Sequence, residues 1–536
     1  MKAYIYLSVW IWVLIYCKLP VQAQKEATHW YFGPKLGLNF TNGQPEVLRN
    51  SAMSTSRGCA AISDKNTGEL LFYSNGRNVW NRLHQQMPAS HVFPKDCSNS
   101  IVQGALIVPV PGSEHEYYLF NLYRIFSGEP NMLLDCYYTD FGESIVDPTA
   151  SDSAYYFQLR YSVIDMRLDG GRGDIVSGKD NLFLQNNLST KLTAVPHTNG
   201  KDYWLMVHSA TGNAFYTYLL SQTSIGQPIE QRIGSAYRII RTTSQTYFEY
   251  LGEMKTSPDG KKLACAVYNL YERPFDVFDF DAATGTISNY QNFGEISQQM
   301  GVSFSPDNSK LYITSSNSTR RIGIDQANYF EIIRQYDFSL PTTGQVIASG
   351  KSIVRFNPRT NISEKEWPVN VVFNTLHIAP DGKIYGRGEG GSSAWNQLLI
   401  ISRPNLPGFE CGINMKYFAF DPSNERWDYR SLPNFMQSYF NNIPALPDHD
   451  SDCTEPKVKL YPNPAQEKVY LHITCQYVPV YVEIIDYLGR IVSRQRPKSN
   501  NDYEIETGGL ASGMHIVRIW SSDTDQKPIV NKLVKW

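Results

Sequence analysis

Several familiar signals of function are missing from this 536-residue sequence. A basic surplus is absent: 49 Lys and Arg stand against 51 Asp and Glu, a formal net charge of −2. No basic stripe points to a nucleic-acid partner. Long apolar runs are absent as well. The longest near the start, Ala3 to Cys17, spans 15 residues, short of the ~20 that a membrane-spanning helix needs, so we expect no transmembrane helix in the mature chain. No stretch sustains a helical period, which argues against a helical bundle. GxSxG elbows, HExxH helices and phosphate-cradling glycine loops are also missing, and no Ser, His and Asp set stands out as a triad. Cysteines are few and scattered, with neither CxxC spacing nor a neighbouring His cluster, which leaves little support for zinc. The sequence therefore nominates no catalytic, cofactor-binding or metal-ligating residue, and no cofactor.

What remains is rich in aromatics and turns. Aromatic residues make up 13% of the chain, with 35 Tyr and 25 Phe, alternating with β-branched residues between Gly-containing turns, so the fold class is all-β. The first 23 residues have a basic start at Lys2, a short apolar run and a small-residue cleavage site at Val21-Gln22-Ala23. They predict a signal peptide and an exported protein. Removal of this leader takes Lys2 and Lys18 with it and leaves seven cysteines, Cys59, Cys97, Cys136, Cys265, Cys411, Cys453 and Cys475. An oxidising compartment permits disulfides among them, with buried thiols as the alternative.

The stretch TSPDGKKLACAVYN at 256–269 returns as FSPDNSKLYITSS at 304–316 and IAPDGKIYGRGEG at 378–390. Each reads as a tight hairpin turn followed by a strand, with Asn-Gly and Asp-Gly pairs along the chain supplying the positive φ angles such turns require. Related units begin at KNTGELLFYS (65–74), VPGSEHEYYLFNL (110–122) and TNGKDYWLMVHS (198–209). Second hairpins follow at 215–230, 275–289 and 333–349. Two hairpins make a four-stranded sheet, and the 48 residues from Pro258 to Pro306 match the pitch of one propeller blade. Seven blades are favoured over six, with WYFGPKLGLNFTNGQPEVL (30–48) and YRSLPNFMQSYF (429–440) completing the last blade from both chain ends. Insertions are expected near 124–158 and within 315–332 or 356–372. These Pro-Asp repeats resemble those of TolB-like and WD-repeat-like β-propellers of secreted bacterial proteins, a likeness that implies a fold rather than an activity.

Composition changes after the ring. The expected organisation is a signal peptide (1–23), a propeller (24–443), a linker (444–457) and a small immunoglobulin-like β-sandwich (458–536). The last segment carries Tyr461-Pro462-Asn463-Pro464, then Asp486, Gly489 and Arg490, then Leu510, Gly513, His515, Val517 and Arg518, and a basic final strand ending Lys532-Leu533-Val534-Lys535-Trp536. In order and spacing this resembles the C-terminal sorting domain of type IX secretion substrates. The resemblance implies recognition by the outer-membrane translocon and a secreted or surface-attached product.

Weaker motifs read as architecture. Asp279 and Asp281 precede a hairpin glycine and favour turn formation over calcium binding. Arg172-Gly173-Asp174 is an integrin-type tripeptide in a glycine-rich loop, His197 and His208 read as ordinary strand histidines, and Asp152-Ser153-Ala154 fits a short O-glycosylation pattern. Of Trp80, Trp204, Trp367, Trp395 and Trp427, Trp395 in GGSSAWNQ is the best candidate for an exposed stacking face; the others read as packing between blades. The leading functional reading is a non-catalytic surface module that binds a glycan, protein or matrix component. A carbohydrate-active or other hydrolytic propeller is the alternative.

Overall fold

Short strands separated by glycine turns pair antiparallel throughout the computed structural model of the chain. It describes residues 24–90, 101–126, 129–133, 155–241, 246–269, 271–316, 331–356, 371–390, 397–418, 431–443, 457–474, 479–496, 498–500, 502–521 and 528–536. The chain divides into two compact units between residues 446 and 447.

The first unit is a seven-bladed propeller. Its inner strands are His29–Phe32, Ala60–Ser63, Ala105–Pro109, the second half of Leu182–Pro196, Met254–Thr256, Val302–Phe304 and Val371–Ile378, and each packs beside the next around the ring. Blades 5, 6 and 7 are four-stranded meanders, whereas blades 1 and 2 have three strands each among the described residues. Blades 3 and 4 share one continuous sheet, because Leu182–Pro196 is both the outer strand of blade 3 and the inner strand of blade 4. The register breaks between Leu188 and Leu192, beside Asn187 at φ 56°. This kink lets one strand serve two blades without a connecting loop.

The recurrent acidic turns join inner to second strands. In blade 5, Gly260 lies at φ 73°, and the Ser257 hydroxyl donates to Asp259 at 2.6 Å and accepts from Lys262 N at 2.9 Å. Blade 6 repeats the arrangement, with Ser305 Oγ donating to Asp307 at 2.6 Å and accepting from Lys310 N at 2.8 Å. Here Asn308 takes the left-handed position at φ 64°, which Asn tolerates better than most residues. The turns also join each other: Asp259 N donates to Asn308 Oδ1 at 2.9 Å. They are punctuation that ties neighbouring blades.

Two expectations are corrected. Residues 333–349 form a strand, Glu331–Asp337, followed by a six-residue helix, Thr343–Ala348, instead of a hairpin. Thr342 caps that helix through its hydroxyl to Gln345 N at 3.3 Å. The described part of 429–440 contributes no strand to a blade. Residues 30–48 form a blade of their own, and blade 7 draws all four strands from 371–417. Aromatic packing joins these two blades, with Tyr385 5.8 Å from both Trp30 and Phe40.

Residues 431–443 instead fill the centre of the ring. Asn434 N donates to Cys59 O at 2.9 Å, and its side-chain amide donates to Ala105 O at 3.2 Å and Leu192 O at 3.1 Å. Those acceptors belong to blades 2, 3 and 4. Eight residues on, Asn442 N donates to Pro306 O of blade 6 at 2.8 Å. Between them Phe435, Met436, Gln437, Tyr439 and Phe440 are buried. Only a segment along the axis can meet opposite blades in so few residues.

The second unit is a sandwich of two four-stranded sheets. One is ordered Lys457–Tyr461, Lys468–Thr474, Asp502–Glu506, Lys498–Asn500; the other Ile491–Gln495, Pro479–Ile485, Gly513–Ser521, Ile529–Lys535. Val469, Leu471, Val482, Ile484, Ile505, Val517, Ile519 and Leu533 form its core, each at 0% exposure. Alternation along the strands thus separates an apolar inside from an outward face.

Candidate functional site

Charged side chains are buried on or beside the inner strands of the propeller. Lys191 of blade 4 donates to the carbonyls of Tyr250, Leu251 and Gly252 at 3.2 to 3.5 Å and lies 4.8 Å from the centre of the Tyr237 ring. Burial lowers its pKa to about 8. In blade 5, Glu253 accepts from Val302 N of blade 6 at 2.9 Å and lies 3.1 Å from Lys255 Nζ. Lys255 in turn donates to Leu376 O of blade 7. His377 Nε2 sits 3.1 Å from Glu253 Oε1, without the alignment of a hydrogen bond. Desolvation holds that imidazole at about 4, so it is neutral at pH 7. Gly301 makes the close approach workable, since a Cβ there would fall 2.9 Å from Thr375 backbone. Gln103 adds a further bridge, exchanging two hydrogen bonds with the Met254 backbone.

These groups hold blades together. Glu249 is similarly spent, paired with Arg238 at 2.8 Å and Arg273 at 3.1 Å. Asp276 accepts from Ser235 N and Oγ at 3.1 and 2.8 Å, and burial raises its pKa to about 6. A cleft of about 410 Å³ lies at the outer side of blade 6, lined by Gln335, Asp337, Gln345, Lys351 and Pro407 among others. Two of its polar groups are engaged: Gln335 bridges Tyr312, Leu406 and Gly408, and Asp337 pairs with Lys310 at 2.9 Å. Among the described residues no group of three or more His, Cys, Asp or Glu could hold a metal ion.

The weaker sequence motifs resolve into local structure. Asp279 accepts from Lys262 and Asn289; Asp281 accepts from Ala283 N and Thr284 Oγ1 at 2.9 and 2.8 Å, closing its turn. Arg172 is paired with Asp169 at 2.7 Å, and Asp174 accepts from Ala89 N at 2.9 Å. Gly173 between them is wedged against Met166 and Met87, so the tripeptide is folded into the surface. His197 stacks on Trp204, and His208 is buried between Phe215 and Tyr237. Trp80 stacks on Tyr73, while Trp204 lies on Gly285 of blade 5 and donates to Ala282 O at 3.0 Å. Cys59, Cys265 and Cys411 are buried thiols. Trp367, Trp395, Trp427, Asp152-Ser153-Ala154, residues 1–23, Cys97, Cys136, Cys453 and Cys475 lie outside the described residues.

In the sandwich, the sequence motifs build turns and edges. Asn463 uses its side-chain amide as a substitute peptide group: Nδ2 donates to Lys532 O and Oδ1 accepts from Val534 N, both at 2.9 Å. Ala465 N donates to Val534 O at 2.8 Å and Trp536 N to Ala465 O at 3.1 Å, so the edge of the last strand is occupied. Asp486 accepts from Leu488 N and Arg490 N at 2.9 Å and from the Arg490 guanidinium at 2.8 Å, around Gly489 at φ 80°. These contacts hold the Asp486 carboxyl below its usual range. His515 lies 2.8 Å from Ala511 O through Nε2, and Leu510 packs against the core.

Residues 459–535 match the family of secretion system C-terminal sorting domains. No curated protein matches the chain. Solved structures similar to it include hydrazine synthase of Kuenenia stuttgartiensis, at 11% identity and TM-score 0.34, covering 74% of this chain and 97% of that one. A crystal structure of a protein from Bacteroides uniformis described as a 6-phosphogluconolactonase has 13% identity and TM-score 0.37, with 74% and 97% covered. The periplasmic gluconolactonase of Pseudomonas aeruginosa has 10% identity and TM-score 0.31, with 85% and 94% covered. Similarity this distant carries no argument about activity. The chain therefore ends in a domain that marks it for export through a dedicated secretion system.

Proposed function

We propose that the chain is a type IX secretion substrate: residues 1–23 act as a cleaved leader, and residues 458–536 bring the protein to the outer-membrane translocon. Its propeller is then displayed on or released from the cell surface, where it binds a glycan, protein or matrix component without chemistry. One observation carries the export reading: the sorting-domain match falls on the sandwich, and Asn463, Asp486, Gly489 and His515 each occupy a defined structural role there. The binding reading is supported by how the propeller spends its buried acids. Glycoside chemistry requires two carboxylates about 5 to 9 Å apart and free to act, whereas Glu249, Glu253 and Asp276 are committed to cations, backbone amides or hydroxyls that join strands and blades. Deletion of 457–536 followed by cell fractionation tests export. The protein should accumulate in the periplasm, and undiminished appearance at the surface refutes the reading. Binding of the 24–445 fragment to glycan and matrix arrays, beside hydrolysis of the same glycans, separates a binding ring from an enzyme.

A further inference from the structure

The motif residues of the sandwich are consumed in building it, so the surface that a partner reads lies elsewhere. Both edges of the sheet Ile491–Gln495, Pro479–Ile485, Gly513–Ser521, Ile529–Lys535 carry side-chain amides. Asn463 occupies the last strand, and on the far side Gln495 exchanges two 2.9 Å hydrogen bonds with the Glu506 backbone. Strand addition at these edges would have to displace those bonds.

The outward face of the same sheet is different. Strand pairing aligns Ile491, Ile485, Ile516 and Lys532 in one row, Arg494, Glu483, Arg518 and Val530 in the next, and Met514 with Val534. Ile491, Ile516, Met514 and Val530 are 44–59% exposed. Four large apolar side chains standing together on one sheet face are unusual on a surface with nothing to cover them. Glu483 lies between Arg494 and Arg518, so that row keeps a net positive charge, to which Lys532 adds. By contrast, the other sheet presents Lys468 paired with Glu504 and Glu506, a solvated charge ladder.

Charge selects the occupant. Residues 457–536 hold 11 Lys and Arg against 8 Asp and Glu, whereas residues 24–456 hold 36 against 43. An acidic partner would attract the tag and repel the ring it is attached to, which favours docking by the correct end. We propose that this outward face, centred on Met514, Ile516 and Val530, is the docking surface for a protein component of the export machinery that presents an apolar patch rimmed by carboxylates. The inference rests on the sorting reading above.

The test uses the full-length chain in its native host. Ile516→Glu with Val530→Glu places two negative charges on the face, and Met514→Gln with Val530→Thr is a milder pair should the first impair folding. Glu506→Gln on the other sheet is the control. Central apolar contacts of an interface dominate its energy, so the face variants should lower the exported fraction about tenfold or more, with the protein recovered folded in the periplasm and the control exported as wild type. Normal export of both face pairs, with the 457–536 deletion retained inside the cell, overturns the docking face and leaves the sorting reading standing. Export of the deletion itself overturns both. A concentration-dependent dimer in sedimentation, broken by the face variants, would assign the face to a second copy of the chain and also overturn the proposal.

Discussion

Replacing Asn434 tests the propeller's central segment. Its side-chain amide, in a residue 3% exposed, supplies one hydrogen bond to Ala105 O and one to Leu192 O. Asn434→Ala removes the donor from two buried carbonyls, and a buried group deprived of its partner costs about 1 to 3 kcal/mol. Allowing for partial relaxation, the loss is about 2 to 4 kcal/mol. A ring of roughly 400 residues unfolds with an entropy near 0.8 kcal/mol/K, so the melting temperature falls by about 2 to 5 °C. Asn434→Asp should be worse than alanine, because it turns a carboxylate toward two carbonyl oxygens. Urea denaturation of the 24–445 fragment, followed by tryptophan fluorescence, measures both. A loss below about 0.5 kcal/mol, as for an ordinary surface position, with Asp no worse than Ala, would show that residues 431–443 do not thread the ring.

Other consequences follow from single contacts. Trp204→Ala empties the interface between blades 4 and 5 and strips Ala282 O of its partner; stability should fall by about 3 to 5 kcal/mol, read from the same urea curves. Asn463→Ala frees the edge of the final strand, so hydrogen exchange at Val534 should accelerate about tenfold or more, while exchange at Val482 in the core stays slow. Acid should destabilise the ring. His208, held at about 3, and His377, held at about 4, stay neutral in the fold but take up protons near pH 6.5 when unfolded. Stability is thus complete above pH 6.5 and declines as pH falls toward 4. Below pH 6 the raised carboxyl of Asp276 offsets one of the two. His208→Gln and His377→Gln should each remove about one proton from the slope of stability against pH. A slope unmoved by either substitution would mean that both imidazoles titrate normally.

The local grammar of the fold was legible because it depends on residues close in sequence. Ser257, Pro258, Asp259 and Gly260 contain their own turn, and so do Ser305 through Asn308. The pitch between them exposed the ring. The helix at Thr343–Ala348 escaped because six residues, fewer than two helical turns, are too few to show a period, and the nearby Thr-Gly pair reads equally well as a hairpin. Residues 431–443 escaped for a different reason. A segment surrounded on all sides buries polar residues such as Asn434 and Gln437 beside apolar ones, so it has no alternation to mark it as a strand, and Asn434 acts on carbonyls more than 200 residues away in sequence. Lys191, Glu253, Lys255 and His377 carried no spacing signal, since apart from the Glu253–Lys255 pair their partners lie on neighbouring blades. The sorting domain was the most legible part of the chain, because Asn463, Asp486 and Gly489 serve fixed turns and edges and so recur in fixed order. The outward face around Ile516 was hidden within ordinary strand alternation and became visible only with the pairing register.

The central claim is that the terminal unit is an address that works apart from its passenger. It is tested most directly by joining residues 447–536 to a periplasmic reporter that has its own leader, in a host with an intact type IX system. The account predicts that the reporter reaches the surface or medium, and that Ile516→Glu with Val530→Glu holds it in the periplasm. A reporter that stays periplasmic with the wild-type unit attached would contradict the account.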